Sequence, residues 1–401
     1  MVQPNHSRAE WSWGGALETA TTGKQGAYHS MRYAANQSFE TDLAACRKLL
    51  STGSRTFYAA SFLLPKRVRD PATALYAFCR LADDVIDLGG NARDGLAELE
   101  DRLDRAYAGR PLDLAADRAF AVTVERYGIP RAIPSALLEG FAWDAGGEQY
   151  ETLGDLQAYA ARVAGTVGAM MALLMDRRSP EDVARATDLG IAMQLTNIAR
   201  DVGEDARAGR LYLPRQWLRE ADIDPDTWLA HPQFNAKIAI VVDRLLTVAE
   251  VLYQRASLGI ARLPADCRPG IYAARYLYAG IGHEVMRQGC DSVSQRAVVP
   301  TSRKLKLLGY AIAATPVRRP VTRALTVTEA AFLVTAATGA PPVRLPQGVL
   351  IPDAPWWDIH AKAVVFVDLL HQLEQRERAL RDARILDHQR ASPQFGVEAQ
   401  T

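Results

Sequence analysis

The chain has 401 residues, of which 48% are hydrophobic, so it can bury a substantial core as one large domain or two ordinary ones. Its formal net charge of +1 gives no overall field for binding nucleic acid, and we expect no nucleic-acid partner. The four cysteines lack the paired spacing of a zinc site or a disulfide framework, and this pattern fits a reducing cytoplasm.

The N-terminus lacks the basic-then-apolar pattern of a signal peptide, and no apolar run reaches the roughly 18 residues of a membrane span. The nearest candidate, LTVTEAAFLVTAATGA near residues 325–340, is too short and contains Glu329, so it predicts a core helix. We therefore expect a cytoplasmic protein.

The predicted elements follow a polar N-terminal extension, residues 1–38, which we expect to be disordered. Asp70 and Pro71 then predict an N-cap and a proline at the first helical position, in a helix that runs to the glycine pair at 89–90. Further helical periods cover about 92–108, 117–127, 134–150, 155–176, 180–207, 236–262 and 268–289. No βαβ alternation or repeat occurs, which predicts an all-α protein.

The helical rhythm breaks after about residue 315, where several prolines enter the sequence. The sequence therefore predicts a main helical domain at 39–315. We expect a C-terminal extension at 316–401, with one amphipathic helix at about 357–385 and a loose tail.

Two aspartate pairs with a spacing of four residues stand in apolar helical surroundings: Asp83 with Asp87, and Asp201 with Asp205. Residues i and i+4 share a helical face, where like charges destabilise an isolated helix by roughly 0.2–0.5 kcal/mol. A hard divalent cation that bridges carboxylate and phosphate oxygens would compensate this repulsion. The pairs therefore predict a diphosphate held by Mg²⁺.

The arginines and amides around these pairs support that interpretation. Arg80 precedes the first pair, and Arg200 directly precedes Asp201. Asn197, Asp201 and Asp205 form a stripe of oxygen-bearing side chains on one helical face.

Two further pairs with the same spacing, Asp113 with Asp117 and Asp222 with Asp226, fall in proline-bounded or turn-like sequence. We interpret them as structural cap and turn residues.

The sequence SRTF, which begins at Ser54 and Arg55, offers hydroxyls and a guanidinium that could bind phosphate oxygens, although by itself an ordinary capping sequence is the commoner explanation. Gly165 and Gly168 stand in the middle of a helical pattern, where each costs about 1 kcal/mol relative to alanine. A close approach of another helix or of a bound chain would explain them.

Tyr159 precedes these glycines, and it could lie near a diphosphate or a carbocation, or be a buried core tyrosine. The sequence has no histidine pair with metal spacing and no GxSxG or P-loop motif. Two acidic helices in an apolar bundle suit the metal-assisted departure of diphosphate from an allylic hydrocarbon, in a cavity that excludes water.

Four motifs in order, SRTF, CRLADDVID, YAARVAGTVG and QLTNIARDVGEDARAGRLYLP, resemble those of the squalene and phytoene synthase family over about residues 40–310. The resemblance implies the isoprenoid synthase fold, a single large helical bundle around a central apolar cavity, with 39–315 as the catalytic domain. It also implies a prenyltransferase of carotenoid biosynthesis that condenses two geranylgeranyl diphosphates, through prephytoene diphosphate, to phytoene.

The resemblance also implies roles for individual residues. The ligands of Mg²⁺ or Mn²⁺ would be Asp83, Asp87, Asn197, Asp201 and Asp205. The phosphate-contacting residues would be Ser54, Arg55, Arg80, Arg200 and Arg210. Tyr159 and Gln194 match positions near the reacting carbons and the second diphosphate. One departure is Cys290, which replaces a tyrosine of the family; Arg296 and Arg303 could compensate or be plain surface charges.

Two alternatives stay open at this point. The same motifs fit the condensation of two farnesyl diphosphates to squalene, dehydrosqualene or hydroxysqualene. Squalene formation needs NADPH, and the lack of a dinucleotide fingerprint favours the reductant-free route, so we expect no NADPH. An inactive scaffold homologue would be expected to lose the aspartates, which are intact.

The apolar substrate and product suggest peripheral docking on the inner face of the cell membrane. The basic residues of the stretch that would face anionic lipid are Arg303, Lys304, Lys306, Arg318, Arg319 and Arg323. A solvated charged face explains them equally well.

Overall fold

The computed structural model describes residues 38–52, 58, 60–88, 92–317 and 326–339, without the side chains of residues 83, 86–88, 92 and 93. All regular structure in these ranges is helical, which confirms the all-α prediction. The α-helices are α1 (38–52), α2 (Lys66–Leu88), α3 (Ala92–Tyr107), α4 (Ala115–Tyr127), α5 (Ala132–Gly146), α6 (Leu153–Ala160), α7 (Thr166–Leu174), α8 (Pro180–Arg207), α9 (Arg215–Glu220), α10 (Pro225–Ala230), α11 (Ala236–Ile260), α12 (Arg268–Arg287), α13 (Thr301–Ala314) and α14 (Ala331–Thr338).

The helix at the centre of the bundle is α8, which packs against α7, α11, α12 and α14. Its start is encoded locally, because the Ser179 side chain accepts a hydrogen bond from the backbone of Asp182 and Pro180 occupies the first turn. The predicted range 180–207 is confirmed at both ends. Because α8 is one continuous helix of 28 residues, it carries residues from both of its halves through the interior of the bundle.

The predicted helix start at Asp70 and Pro71 is wrong. Helix α2 begins at Lys66, and Pro71 lies inside it. Proline cannot donate to the carbonyl of Arg67, and the Tyr127 hydroxyl donates to that oxygen instead, at 2.6 Å. The Asp70 carboxylate forms ion pairs with Lys66 and Arg47 rather than acting as a cap.

The predicted helix over 155–176 is interrupted. A π-helical segment, Ala161–Gly165, separates α6 from α7. Such segments are rare and occur frequently at functional sites. The preceding helix α5 ends at Gly146, and the left-handed Gly147 terminates it before the predicted limit at 150.

A second packed segment follows α13. It consists of a short 3₁₀ turn, Thr328–Ala330, and α14, and it lies against α8. Ala330, Leu333 and Ala337 are completely buried there, which confirms the core helix predicted near 325–340. The predicted helix at 357–385 and nearly all of the N-terminal extension lie outside the described residues, and the domain division stays a prediction. No helix in the described part is long and apolar enough to cross a bilayer.

Candidate active site

A largely apolar cavity of about 280 Å³ runs beside α8. Gln194 and Asn197 line it near the C-terminal half of the helix, and Arg185 lines it near the N-terminal half. Twelve residues separate Arg185 from Asn197, which corresponds to roughly 18 Å along a helix. The cavity is therefore a long apolar space that ends beside the oxygen-bearing stripe of α8.

The wall next to α8 is built by the π segment and α7, which pack directly against α8, and glycines permit the close packing. A Cβ atom at Gly168 would lie 2.2 Å from the Ala186 carbonyl oxygen, and one at Gly190 would lie 2.2 Å from that of Ala164. A Cβ at Gly165 would lie 3.1 Å from Thr187 Cγ2. Of the two explanations offered for Gly165 and Gly168, the close approach of another helix is confirmed.

Asp201 is held between two guanidinium groups. Arg200 donates from Nε and Nη2 at 2.8 and 2.5 Å, and Arg296 donates from the same two atoms at 2.8 and 3.2 Å. Burial acts to raise the pKa of Asp201, but the hydrogen bonds and charges of the two arginines hold it below its ordinary value. Asp201 is therefore a charged carboxylate in a strongly cationic setting that also suits phosphate oxygens.

Asp205, one turn later, has the opposite environment. Burial and the charge of Asp201 raise the pKa of Asp205 to about 7, and Arg210 opposes the rise only in part. A carboxylate crowded by like charges is stabilised by a bound cation. Asn197, Asp201 and Asp205 share one helical face, so their oxygens fit a hard divalent ion at the end of the cavity.

The second arginine of this cluster reaches Asp201 because a loop docks on Gly203. The Gly203 amide donates to the Ser292 carbonyl at 3.0 Å, and a Cβ at Gly203 would lie 2.2 Å from the Val293 carbonyl oxygen. Arg207 also donates to the Val293 carbonyl, at 3.0 Å. Of the two arginines that could compensate for the departure at position 290, Arg296 lies at this site.

Cys290, the residue that departs from the family pattern, is buried. Cys290 adopts a left-handed backbone conformation with φ 58° and is 6% exposed. Burial raises the pKa of its thiol. Arg303 instead donates to Glu284 at 3.0 Å, so it is part of a separate ion pair.

Tyr159 is buried, and its hydroxyl donates to Asp144 Oδ2 at 2.6 Å. The Tyr212 hydroxyl donates to Asp144 Oδ1 at 2.7 Å, and the two rings stack with centroids 5.4 Å apart. Burial, followed by the charge of Asp144, raises the pKa of Tyr159 well above its ordinary value. Sequence reasoning missed Asp144 and Tyr212, because no local spacing connects them to Tyr159.

The remaining predicted residues are placed as follows. Ser54 and Arg55 lie outside the described residues, as do the side chains of Asp83 and Asp87, whose backbone is in the last two turns of α2. Arg80 forms an ion pair with Asp84 at 2.6 Å. Among the described side chains no three His, Cys, Asp or Glu residues converge on a metal position, and the full ligand set stays a prediction.

The two aspartate pairs interpreted as structural have structural partners. Asp117 is completely buried and receives two hydrogen bonds from Arg102, at 2.7 and 3.1 Å. Asp226 pairs with Arg215 at 2.7 Å, and Asp222 has the left-handed φ of 52° that is typical of a turn.

The family model for squalene/phytoene synthase matches residues 50–304, more than half of the chain. The chain belongs to the squalene/phytoene synthase family. The resemblance inferred from the four motifs is therefore confirmed, and the protein is a prenyltransferase-type enzyme.

Two phytoene synthases illustrate the relationship within this family. The protein of Rhodobacter capsulatus is 57% identical over 272 residues, which cover 67% of this chain and 80% of that one. The protein of Cereibacter sphaeroides is 46% identical over 361 residues, which cover 86% of this chain and 97% of that one. The second alignment extends well beyond the residues that the family model matches.

Solved structures of the squalene/phytoene synthase family have the same fold. A dehydrosqualene synthase in complex with a ligand superimposes with a TM-score of 0.64 at 33% identity, over 70% of this chain and 98% of that one. A squalene synthase from Alicyclobacillus acidocaldarius has a TM-score of 0.59 at 24% identity, over 63% and 95% of the two chains. The predicted isoprenoid synthase fold, with its helical bundle around an apolar cavity, is confirmed.

Proposed function

We propose that this enzyme condenses two geranylgeranyl diphosphates head to head, through prephytoene diphosphate, to phytoene. The observation that carries the proposal is the continuity of the apolar cavity with the oxygen-bearing stripe: Gln194 and Asn197 line the cavity, and Asp201 and Asp205 follow along the same helix. A substrate with a long hydrocarbon chain and a diphosphate head matches this arrangement. The names of the two phytoene synthase relatives support the C20 substrate.

Mg²⁺ or Mn²⁺ bound between the two acidic helices would act as a Lewis acid that stabilises the departing diphosphate. Asn197, Asp201 and Asp205 would hold it together with Asp83 and Asp87. The raised pKa of Asp205 supports this assignment, because a carboxylate among like charges gains from a bound cation.

The cationic residues would bind the phosphate oxygens of the two substrates. Arg200 and Arg296 would serve in this role, because both guanidinium groups meet at Asp201. The other residues that we assign to diphosphate binding are Ser54, Arg55, Arg80, Arg210 and Gln194. Bidentate guanidinium contacts hold the leaving group in place and add charge stabilisation.

Each of the two condensation steps releases one diphosphate and one proton and needs no protein nucleophile. The apolar cavity walls keep water away from the carbocations, which water would otherwise convert to alcohols. Tyr159, which is fixed by its bond to Asp144, would lie beside the reacting end. Its oxygen, or the released diphosphate, would stabilise the cation before the proton leaves.

The deciding experiment is identification of the product by mass after incubation with Mg²⁺. Geranylgeranyl or farnesyl diphosphate is supplied separately, each with and without NADPH. We expect a C40 hydrocarbon from the C20 substrate without reductant. A C30 product from farnesyl diphosphate alone would move the assignment to the squalene-type branch, which the dehydrosqualene synthase structure makes the second candidate.

We further propose that the enzyme is cytoplasmic and docks on the inner face of the membrane through α13. Lys306, Leu305 and Tyr310 are exposed on this helix, and the ammonium group of Lys306 lies 5.8 Å from the Tyr310 ring centroid. Exposed apolar side chains beside lysines are typical of a surface that lies on anionic lipid. Arg303 is engaged with Glu284, so we assign the contact on α13 chiefly to Lys304 and Lys306. The other predicted members of the basic stretch, Arg318, Arg319 and Arg323, lie outside the described residues.

Co-sedimentation with vesicles tests the docking surface. Replacing Lys304 and Lys306 by glutamine should lower binding to vesicles that contain phosphatidylserine, by about 1 kcal/mol per lysine, and leave weak binding to neutral vesicles unchanged. Lys237→Gln is the matched control, because that exposed lysine lies on α11 beside Asp222. Equal binding by all variants would exclude this surface.

A further inference from the structure

The Asp144 carboxylate hydrogen-bonds to both Tyr159 and Tyr212, and it accepts one phenolic hydrogen at each carboxylate oxygen. The oxygen distances of 2.6 and 2.7 Å are those of strong bonds to a charged acceptor, about 2.5–2.7 Å. A phenol has a single hydrogen. With that hydrogen on Asp144, each tyrosine oxygen has only lone pairs left to present to other groups.

The two tyrosines come from segments that adjoin the cavity wall and the acidic end of α8. Val163, about one turn after Tyr159, lines the cavity, and Tyr212 follows Asp205 and Arg210 in the segment after α8. Through its two hydrogen bonds, Asp144 therefore joins the segment that leads into the cavity wall to the segment that follows the acidic end of α8.

A third ring in the same cluster has no such bond. Tyr150 is 1% exposed, and its ring centroid lies 5.1 Å from that of Tyr159 and 5.8 Å from that of Tyr212. Its buried hydroxyl has no hydrogen-bond partner among the described residues. The protein therefore provides an internal comparison: three neighbouring phenols, of which two are oriented by a carboxylate and one is not.

We propose that Asp144 is a positioning residue for the reaction: by accepting both hydrogens, it fixes the Tyr159 and Tyr212 oxygens with their lone pairs towards the reacting carbons. Oriented oxygen dipoles stabilise a carbocation, whereas a hydroxyl hydrogen turned towards it would repel it. The bonds are formed before the substrate enters, so no reorientation is needed when charge develops. This inference rests on the proposed function, because it assumes that a carbocation forms at this end of the cavity.

The first test is Asp144→Asn. The amide keeps one acceptor oxygen but presents an NH₂ group to the second phenol, whose hydrogen must then turn elsewhere. We expect kcat to fall about a hundredfold with little change in KM, since the diphosphate contacts remain. The product mixture should also shift towards the released cyclopropyl intermediate and alcohols formed by water capture. A merely structural role would leave this product ratio unchanged.

Two further measurements make the test decisive. Replacing Tyr159 and Tyr212 together by phenylalanine removes both oriented oxygens. If Asp144 acts through them, Asp144→Asn should add little to that double variant, whereas additive effects would overturn the proposal. Tyr150→Phe is the matched control and should keep the wild-type product ratio. If Asp144→Asn does not fold, the product ratios of the Tyr159 and Tyr212 double variant and of Tyr150→Phe are compared instead. Equal ratios in these two variants would overturn the proposal.

The proposed function can fail separately. The product ratio is read with whichever substrate, geranylgeranyl or farnesyl diphosphate, the unmodified enzyme converts. A C30 product would change the assigned substrate and leave the Asp144 test intact. A wild-type ratio for Asp144→Asn on either substrate would overturn the role of Asp144 alone.

Discussion

The two ends of α8 carry the same types of residue and use them differently. Near its N-terminus, the completely buried Asp188 carboxylate forms ion pairs with Arg185, at 3.0 Å, and with Arg255, at 3.1 Å. Near its C-terminus, Asp201 has two arginines, but Asp205 lies among further carboxylates. The first end closes the cavity, and the second contains the stripe that we assign to catalysis.

The electrostatics of Asp188 and Asp205 explain this division. Burial raises the pKa of Asp188 to about 6, and both neighbouring arginines act against the rise. Burial raises the pKa of Asp205 to about 7, and the charge of Asp201 adds to the rise. The completely buried Asp188, paired with arginines, therefore stabilises the fold, whereas Asp205, crowded by another carboxylate, is suited to hold a cation.

The largest effect that should separate the two ends is on turnover. Asp201→Ala or Asp205→Ala should reduce turnover by about 10⁴-fold, roughly 5.5 kcal/mol, because a metal ligand on the leaving diphosphate is lost. Product formation at saturating Mg²⁺ measures the effect, with circular dichroism to check folding. Asp226→Ala, which removes an exposed carboxylate paired with Arg215, is the control. Turnover within tenfold of wild type would contradict the assignment of these carboxylates as metal ligands.

The opposite end should respond in stability. Asp188→Asn removes the negative charge that Arg185 and Arg255 share in a buried setting, and such a loss costs about 3–5 kcal/mol of unfolding free energy. Urea denaturation measures it, with Asp226→Asn as the control. At temperatures where the variant is folded, its turnover should stay near that of wild type. A large loss of turnover in the folded variant would contradict the division of roles along α8.

The direct packing of α7 against α8 should show a smaller effect. Gly168→Ala places a methyl group against the Ala186 carbonyl, and overpacking of this kind costs about 1–3 kcal/mol. Thermal unfolding provides the measurement. Gly146→Ala is the matched control, because Gly146 is also helical and a Cβ there meets nothing within 4 Å. Equal stability of the two variants would show that the helices can separate without cost.

The smallest effect concerns the arginine brought by the docked loop. Gly203→Ala should displace Val293 and with it Arg296, and we expect about a tenfold loss of kcat/KM, or roughly 1.4 kcal/mol. Arg296→Lys should give a similar loss, because lysine cannot form the paired contact with Asp201. If Gly203→Ala keeps full activity, the loop does not position Arg296 for the reaction.

The sequence was sufficient where local chemistry decides the structure. Ser179 and Pro180 encode the start of α8 by themselves, and the stripe of Asn197, Asp201 and Asp205 follows from helical spacing. The glycines of the π segment and α7 also indicated a close approach, although the sequence left open whether another helix or a bound chain makes it.

The remaining features depend on contacts between distant residues. Pro71 is tolerated inside α2 because the Tyr127 hydroxyl, 60 residues away, satisfies the Arg67 carbonyl. Asp144 meets Tyr212 across 68 residues. Such pairs leave no periodic pattern in a single sequence, so the phenol cluster could be found only in the folded structure.

The segment around α14 has a practical consequence for how this chain can be shortened. The family match ends at residue 304, yet Leu333 is completely buried and would lie 3.3 Å from a Cβ at Gly165. A protein shortened to the end of the family match would lack Leu333, and the surface of the π segment around Gly165 would be exposed to water. The shortest version suited to expression, crystallisation or transfer into another host should therefore extend at least to Gly339.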